Sequence, residues 1–85
     1  MSVAFLDQTS VSARVIDVVK STYGVPPSVS DESSLATLGF DSLLRKDLLV
    51  NLENEFCIQI PEKDIKAFTT IGDASKYIAT NPKAR

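Results

Sequence analysis

Ser42 is the residue whose type and position in this sequence best fit a covalent chemical role. It directly follows Asp41, at the start of a strongly periodic apolar segment. A carboxylate there accepts hydrogen bonds from the free N–H groups of a first helical turn, so Asp41 is predicted to cap a helix that begins near Ser42. The same helix terminus would favour an anion on the Ser42 hydroxyl, such as a phosphodiester.

The chain has no histidine, which is the usual base beside a nucleophilic serine and the commonest metal ligand. We therefore expect no enzymatic activity and no metal site, and Ser42 would be modified by another enzyme. Asp followed by Ser is also ordinary capping chemistry, so the dipeptide alone leaves a purely structural role open. The single cysteine, Cys57, is interpreted as a half-exposed structural residue rather than a reactive thiol.

The segment after Asp41 gives the strongest helical pattern in the chain. Leucines and a phenylalanine recur at steps of four, which predicts a second helix with one buried face. The residues assigned to this face are Leu44, Leu48, Leu52 and Phe56, with Leu43 and Leu49 broadening it.

A first helix is predicted from Ser10, its expected N-cap, through a face of Val11, Val15, Val18 and Val19. Gly24 is expected to stop it in the left-handed conformation, and Pro26 and Pro27 to prevent its resumption. The following residues, 25–40, are rich in Pro, Ser, Asp and Thr and predict a long loop anchored by Leu35 and Leu38.

Two shorter helices are predicted after residue 57. The first starts at Pro61 and runs through Ile65, with its charged residues Glu62, Lys63, Asp64 and Lys66 forming a solvated face. The second starts at a capping box of Thr70 and Asp73 and ends before Asn81 and Pro82. These pieces predict an all-α fold: a four-helix bundle with a long loop between helices 1 and 2 and a short helix 3, forming one domain over residues 1–85.

Composition excludes several other classes of protein. The 85 residues are 44% hydrophobic and 24% charged, as in soluble globular proteins, and no apolar run is long enough to span a membrane. A net charge of −2 without a basic stripe argues against nucleic acid as a partner. Met1 to Thr9 lack the pattern of a signal peptide, so a cytoplasmic location is expected.

The run LATLGFDSLLRKDLLVNLENEFCIQI, residues 35–60, resembles the phosphopantetheine-bearing carrier proteins. That family has a Leu-Gly-x-Asp-Ser-Leu signature at the start of its second helix, then a Leu, a Glu and a Phe at fixed spacing, and then Ile-Pro. The matching positions are Leu38, Gly39, Asp41, Ser42, Leu43, Leu52, Glu53, Phe56, Ile60 and Pro61, and the resemblance continues to Thr70, Ile71, Tyr77 and Ile78.

The resemblance implies that Ser42, flanked by Asp41 and Leu43, carries a covalent 4'-phosphopantetheine arm. A phosphopantetheinyl transferase would donate the arm from coenzyme A, and acyl groups would ride on its thiol as thioesters. Implied partners are acyl-loading and acyl-processing enzymes: a synthetase, a ketosynthase and an acyltransferase. Asp before the serine favours acyl cargo over aminoacyl cargo, while fatty-acid, polyketide and related lipid pathways stay open. The protein is expected to be a monomer.

The sequence departs from fatty-acid carriers just after Leu43. Those carriers are strongly acidic at the start of helix 2, whereas this chain has a basic pair, and acidity returns only afterwards. The surface expected to bind partners is Leu44, Arg45, Lys46, Asp47 and Glu53. Because basic residues repel the basic patches of typical partners, we hypothesise a specialised carrier with its own enzymes. Ordinary solvated surface is the alternative for the pair. For the whole protein, the alternatives are an unmodified helical interaction module and an aminoacyl carrier.

Overall fold

The computed structural model describes residues 7–84, and within them it contains four α-helices. Helix α1 spans Gln8–Thr22, α2 spans Ser42–Phe56, α3 spans Glu62–Ala67 and α4 spans Ile71–Ala79. The all-α class, the long connection after α1 and the short α3 are thereby confirmed. Residues 1–6, which make up most of the segment without a signal-peptide pattern, lie outside the described residues, as does Arg85. In the described part of the chain, no helix has both the length and the apolar character needed to cross a membrane.

Both predicted ends of α1 need correction. Its N-cap is Asp7 and not Ser10: the Asp7 carboxylate accepts a hydrogen bond from the Ser10 backbone N–H at 3.2 Å, so Ser10 already lies in the first turn. At the other end, the C-cap Tyr23 is extended, with φ −122° and ψ 150°. This extended residue ends the helix, so Gly24 does not take the left-handed conformation; among the described glycines only Gly39 has positive φ.

Helix α2 begins as predicted, with the Asp41 carboxylate accepting from the Leu44 backbone N–H at 2.9 Å. Leu48, Leu52 and Phe56 are buried and Leu49 is partly buried, but Leu44 is 36% exposed and Leu43 is 74% exposed, so the assignment of these two to the buried face was wrong. The reason is helical geometry: each step of four residues turns about 40° beyond a full circle. Leu44 therefore points about 120° away from Phe56 and falls outside the buried stripe.

The core lies where α1, α2 and α4 meet. The predicted valine face of α1 is buried at three positions, and Val18 packs partly against the core. Arg14 ties α1 to the end of α2, with its guanidinium 4.2 Å from the Phe56 ring centroid and its Nε 3.0 Å from Glu55 Oε2. The fully buried large side chains are Val11, Val15, Val19, Leu35, Leu48, Leu52, Phe56, Ile65, Ile71 and Ile78.

The long connection between α1 and α2 is ordered by the start of α4. The Leu35 N–H donates to the Thr69 carbonyl at 2.9 Å, and the Ile71 N–H donates to the Ser33 carbonyl at 3.1 Å, on either side of an isolated antiparallel bridge. Leu35 is fully buried, as an anchor should be, and Leu38 is partly buried. The connection is therefore held in place up to the residues that precede Ser42.

The capping box of α4 is confirmed. Thr70 Oγ1 accepts from the Asp73 N–H at 3.2 Å, and Asp73 Oδ2 accepts from the N–H groups of Thr69 and Thr70 at 2.8 and 3.1 Å. These backbone donors stabilise the carboxylate and lower the pKa of Asp73 below its ordinary value.

Candidate functional site

Ser42 is the first residue of α2 and is exposed to solvent. The chain reaches it through Gly39, whose φ of 91° suits glycine, and through Phe40, which is buried and anchors the turn. Asp41 then caps the helix with its side chain, so the Ser42 hydroxyl is not needed for capping. The site thus offers an accessible hydroxyl on a firmly held backbone.

A cleft of about 290 Å³ opens beside Ser42, between α2 and α3. Its walls carry three cationic side chains and one carboxylate, so the charge around the serine is net positive. The lining residues are Ser42, Arg45, Lys46, Glu62, Ile65 and Lys66. A positively charged cleft at a helix N-terminus fits the phosphate of a phosphopantetheine arm, because cations, helix dipole and free N–H groups all favour an anion.

The Arg45 side chain, expected on the partner-binding surface with ordinary solvated surface as the alternative, makes hydrogen bonds within the molecule. Its Nη1 donates to the carbonyl oxygens of Phe68 at 2.6 Å and Ile65 at 3.1 Å, and its Nε donates to the Phe40 carbonyl at 3.3 Å. The guanidinium therefore joins the end of α3 to the turn that leads into α2. Its charge also suits the carbonyl-rich C-terminal end of α3.

Lys46 is the exposed member of the basic pair. Its Nζ lies 3.1 Å from Glu62 Oε2, so an ion pair crosses the cleft from α2 to the first residue of α3. The two side chains are 59% and 52% exposed. An ion pair this accessible to water contributes only about 0–1 kcal/mol to the free energy of unfolding.

The exposed Asp47 carboxylate accepts hydrogen bonds from other side chains of the protein. The Tyr23 hydroxyl donates to Asp47 Oδ2, and Asn51 Nδ2 donates to the Tyr23 hydroxyl at 3.0 Å. Burial and the neighbouring carboxylate raise the pKa of Tyr23 to about 12. The Tyr23 ring also packs edge-on against Phe40, with ring centroids 4.9 Å apart. This cluster connects the end of α1 to the turn before Ser42.

Sequence reasoning missed Tyr23 and Asn51 as supports of the site. A tyrosine after a helix carries no local signal of a partner 24 residues further along the chain. Glu53 is likewise occupied, because its Oε2 accepts from the Ile60 N–H at 2.7 Å and so fixes the link between α2 and α3. The roles predicted for Asp47 and Glu53 in partner binding stay predictions.

Leu43 and Leu44 lie on the outer side of α2. Leu43 is 74% exposed, and with Leu44 and the 51% exposed Val50 it lines a shallow surface depression together with Lys46 and Asp47. Leu43 is not among the residues that line the cleft at Ser42. We refer to Leu43, Leu44 and Val50 as the outer apolar strip.

Cys57 lies at the opposite end of α2 from Ser42. It is exposed and serves as the C-cap, with φ 58° and ψ 42°, and its N–H donates to the Glu53 carbonyl. The position is that of a helix C-cap, but the residue is exposed rather than half-exposed, and the interpretation of Cys57 as an unreactive thiol stays a prediction.

Comparison with known proteins gives one family and a consistent set of relatives. Residues 13–78 match the family model described as "Phosphopantetheine attachment site". The mitochondrial acyl carrier protein of Saccharomyces cerevisiae is 40% identical over 87 aligned positions, covering 95% of this chain and 70% of the relative. The putative mitochondrial acyl carrier protein of Schizosaccharomyces pombe is 41% identical over 75, covering 85% and 67%. An acyl carrier protein of Chlorobium phaeobacteroides is 35% identical over 75, covering 86% and 96%.

Proposed function

Since this chain belongs to the acyl carrier protein family, we propose that it carries acyl groups of fatty-acid biosynthesis on a 4'-phosphopantetheine arm bound to Ser42. The observation that carries the assignment to Ser42 is its position. It is an exposed serine at the first residue of α2, it opens on the cationic cleft, and it lies inside the segment matched by the family model.

The residues around Ser42 divide the work of holding the arm. Asp41 fixes the helix end, and the cleft offers its cations to the phosphate. The chain has no histidine, and in this proposal the base that takes the Ser42 hydroxyl proton comes from the transferase. The arm itself supplies a thiol that forms thioesters with acyl groups. In this proposal the protein is a substrate of other enzymes and carries acyl groups between them, rather than being a catalyst itself.

Intact-protein mass spectrometry tests the attachment. We expect coenzyme A and a broad-range phosphopantetheinyl transferase to add one arm to the wild type and none to Ser42→Ala. Ser10→Ala is the matched control, because Ser10 is an exposed serine in the first turn of α1. An unmodified wild type would remove the proposal and favour the helical interaction module. An arm on Ser42→Ala would move the attachment to another residue.

The outer apolar strip supports a proposal for where the transferase and the acyl-processing enzymes bind. Exposed leucines next to the modified serine offer a partner apolar surface without unfolding the carrier. Leu43→Ser should raise the KM of the transferase while leaving the urea midpoint of unfolding unchanged, because Leu43 is 74% exposed. An unchanged KM would refute this location.

The hypothesis of dedicated partner enzymes now depends on Lys46, because the Arg45 guanidinium is engaged within the molecule. Lys46→Glu should increase turnover by housekeeping fatty-acid synthesis enzymes if the lysine repels their basic patches. Lys63→Glu, at an exposed position of α3, is the charge-matched control. Equal rates for wild type and Lys46→Glu would contradict the hypothesis.

The compartment is a separate proposal. The sequence predicts a cytoplasmic location. Three relatives, from Saccharomyces cerevisiae, Schizosaccharomyces pombe and Arabidopsis thaliana, are named as mitochondrial acyl carrier proteins, the second of them as putative. We propose a mitochondrial location on that basis. Fractionation of cells that express the protein from its natural gene tests it, and recovery in the cytosolic fraction alone would overturn it.

A further inference from the structure

We propose that Lys46 is a positioning residue for the arm. When the arm is attached, Lys46 gives up its ion pair with Glu62 and pairs with the phosphodiester on Ser42. The inference rests on the proposed attachment at Ser42 and adds a role for this chain's own residues once the arm is bound. It concerns the direction in which the arm leaves α2.

The positions of Ser42 and Lys46 in α2 are the first observation that supports the proposal. They are four residues apart, so they lie on the same face of the helix with Cβ atoms about 5–6 Å apart. A helical side chain leans toward the N-terminus of its helix, which directs Lys46 back over the turn that contains Ser42. Both residues line the same cleft, in agreement with this geometry.

The second observation is that the existing ion pair between Lys46 and Glu62 is weak. Lys46 and Glu62 are both more than half exposed, so water and salt already compete for each of them. A phosphodiester on Ser42 would be tethered beside Lys46 at a high effective concentration. The α2 N-terminus would also support its charge, as the α3 N-terminus supports that of Glu62.

The remaining cations of the cleft explain why Lys46 is the residue that exchanges. Arg45 already donates Nε and Nη1 to three backbone carbonyls, and releasing them would cost these hydrogen bonds, with only the Ile65 carbonyl keeping another donor, the Phe68 N–H, among the described contacts. Lys66 lines the other wall of the cleft, on α3, and adds positive charge there. The arm is therefore drawn into the cleft between α2 and α3 rather than toward the outer apolar strip.

Loss of the Lys46 pair also changes α3. The N-cap of this six-residue helix is Pro61, which makes no side-chain capping hydrogen bond. Glu62, its first residue, holds it to α2 through Lys46. Attachment of the arm should therefore loosen the first turn of α3 slightly, because the pair is exposed, and leave its C-terminal end, held by Arg45, unchanged.

Phosphorus NMR of the modified protein tests the exchange. Wild type, Lys46→Gln and Glu62→Gln are loaded from coenzyme A, and Lys63→Gln, an exposed lysine of α3 outside the cleft, is the control. Intact mass first establishes one arm on each. The ³¹P relaxation of the phosphodiester and the amide exchange of α3 are then measured at low and high salt.

We expect the wild type and Lys63→Gln to show a restricted phosphodiester that high salt releases, and faster amide exchange at the start of α3 than before loading. Lys46→Gln should show a freely moving phosphodiester at both salt concentrations. Glu62→Gln should restrict it more than the wild type, because Lys46 then has no competing carboxylate. This variant also decides the matter if Lys46→Gln is a poor substrate for the transferase.

Two outcomes would overturn the inference and are distinguishable from each other. Arms present on every variant with identical ³¹P relaxation would refute the role of Lys46 and leave the attachment at Ser42 standing. A wild type without added mass would remove the attachment, and the role of Lys46 with it.

Discussion

Replacing Arg45 with alanine is expected to lower the free energy of unfolding by about 2–3 kcal/mol, although the residue is only partly buried. Arg45 Nη1 donates its shortest hydrogen bond to the Phe68 carbonyl, at 2.6 Å, and another to the Ile65 carbonyl, at 3.1 Å. Hydrogen bonds to a charged donor contribute about 1.5–3 kcal/mol each, and partial exposure reduces that figure here. The contact with the Phe40 carbonyl, at 3.3 Å, adds little.

Urea unfolding followed by far-ultraviolet circular dichroism measures the effect. With a slope of about 1 kcal/mol per molar urea, the midpoint should fall by about 2–3 M. Arg45→Lys keeps the charge but lacks the planar fork that reaches several carbonyls, so it should lie between alanine and the wild type. Lys63→Ala, at an exposed position of α3, should leave the midpoint unchanged.

A midpoint for Arg45→Ala that equals that of Lys63→Ala would refute the reasoning, since it would mean that water replaces the guanidinium without cost. Amide exchange adds a local readout. The last turn of α3 and residue 68 should lose protection in Arg45→Ala, whereas the centre of α2 should follow only the global stability.

Three further predictions concern the supports of the site. Tyr23→Phe should lower the free energy of unfolding by about 1 kcal/mol. The folded-state pKa of Tyr23 is raised from 10.0 to about 12, so the stability of the wild type should fall between pH 10 and 12. A pH profile of the wild type that matches that of Tyr23→Phe would contradict this. Leu52→Ala should cost about 2–5 kcal/mol and Val50→Ala almost nothing, so equal urea midpoints would contradict the assigned burial. Thr70→Ala should cost about 1 kcal/mol through loss of the α4 cap, and an unchanged melting temperature would argue against the capping box.

The parts of the fold that depend on local interactions were predictable from the sequence. Asp41 and Thr70 cap their helices through contacts three residues away, and such spacing is visible in the sequence itself. The leucine spacing likewise identified α2, since Leu48 and Leu52 fall on the buried stripe. The long loop followed from composition, because its prolines and small polar residues do not continue a helix.

The rest depends on contacts between distant residues, which leave no pattern in the sequence. Arg45 meets carbonyls 20 and 23 residues away, so the sequence predicted only a partner-binding or solvated surface and not these internal hydrogen bonds. Asp47 meets Tyr23 across 24 residues. Leu44 failed for a different reason, since a step of four drifts around the helix and only a mixture of threes and fours follows one face. Ser42 was predicted as the attachment site from its neighbours in a family signature rather than from any interaction it makes.

The dependence of the long connection on α4 has a consequence for the order of events during synthesis. Ser42 leaves the ribosome before residues 69–72, yet the backbone partners of Ser33, Leu35 and Asp31 are in that later stretch. These hydrogen bonds of the long connection therefore form only after the start of α4 has been made. A transferase that requires the fully folded connection would act only after these residues have been made, and a chain interrupted before residue 69 would lack the backbone hydrogen bonds that hold residues 31–35.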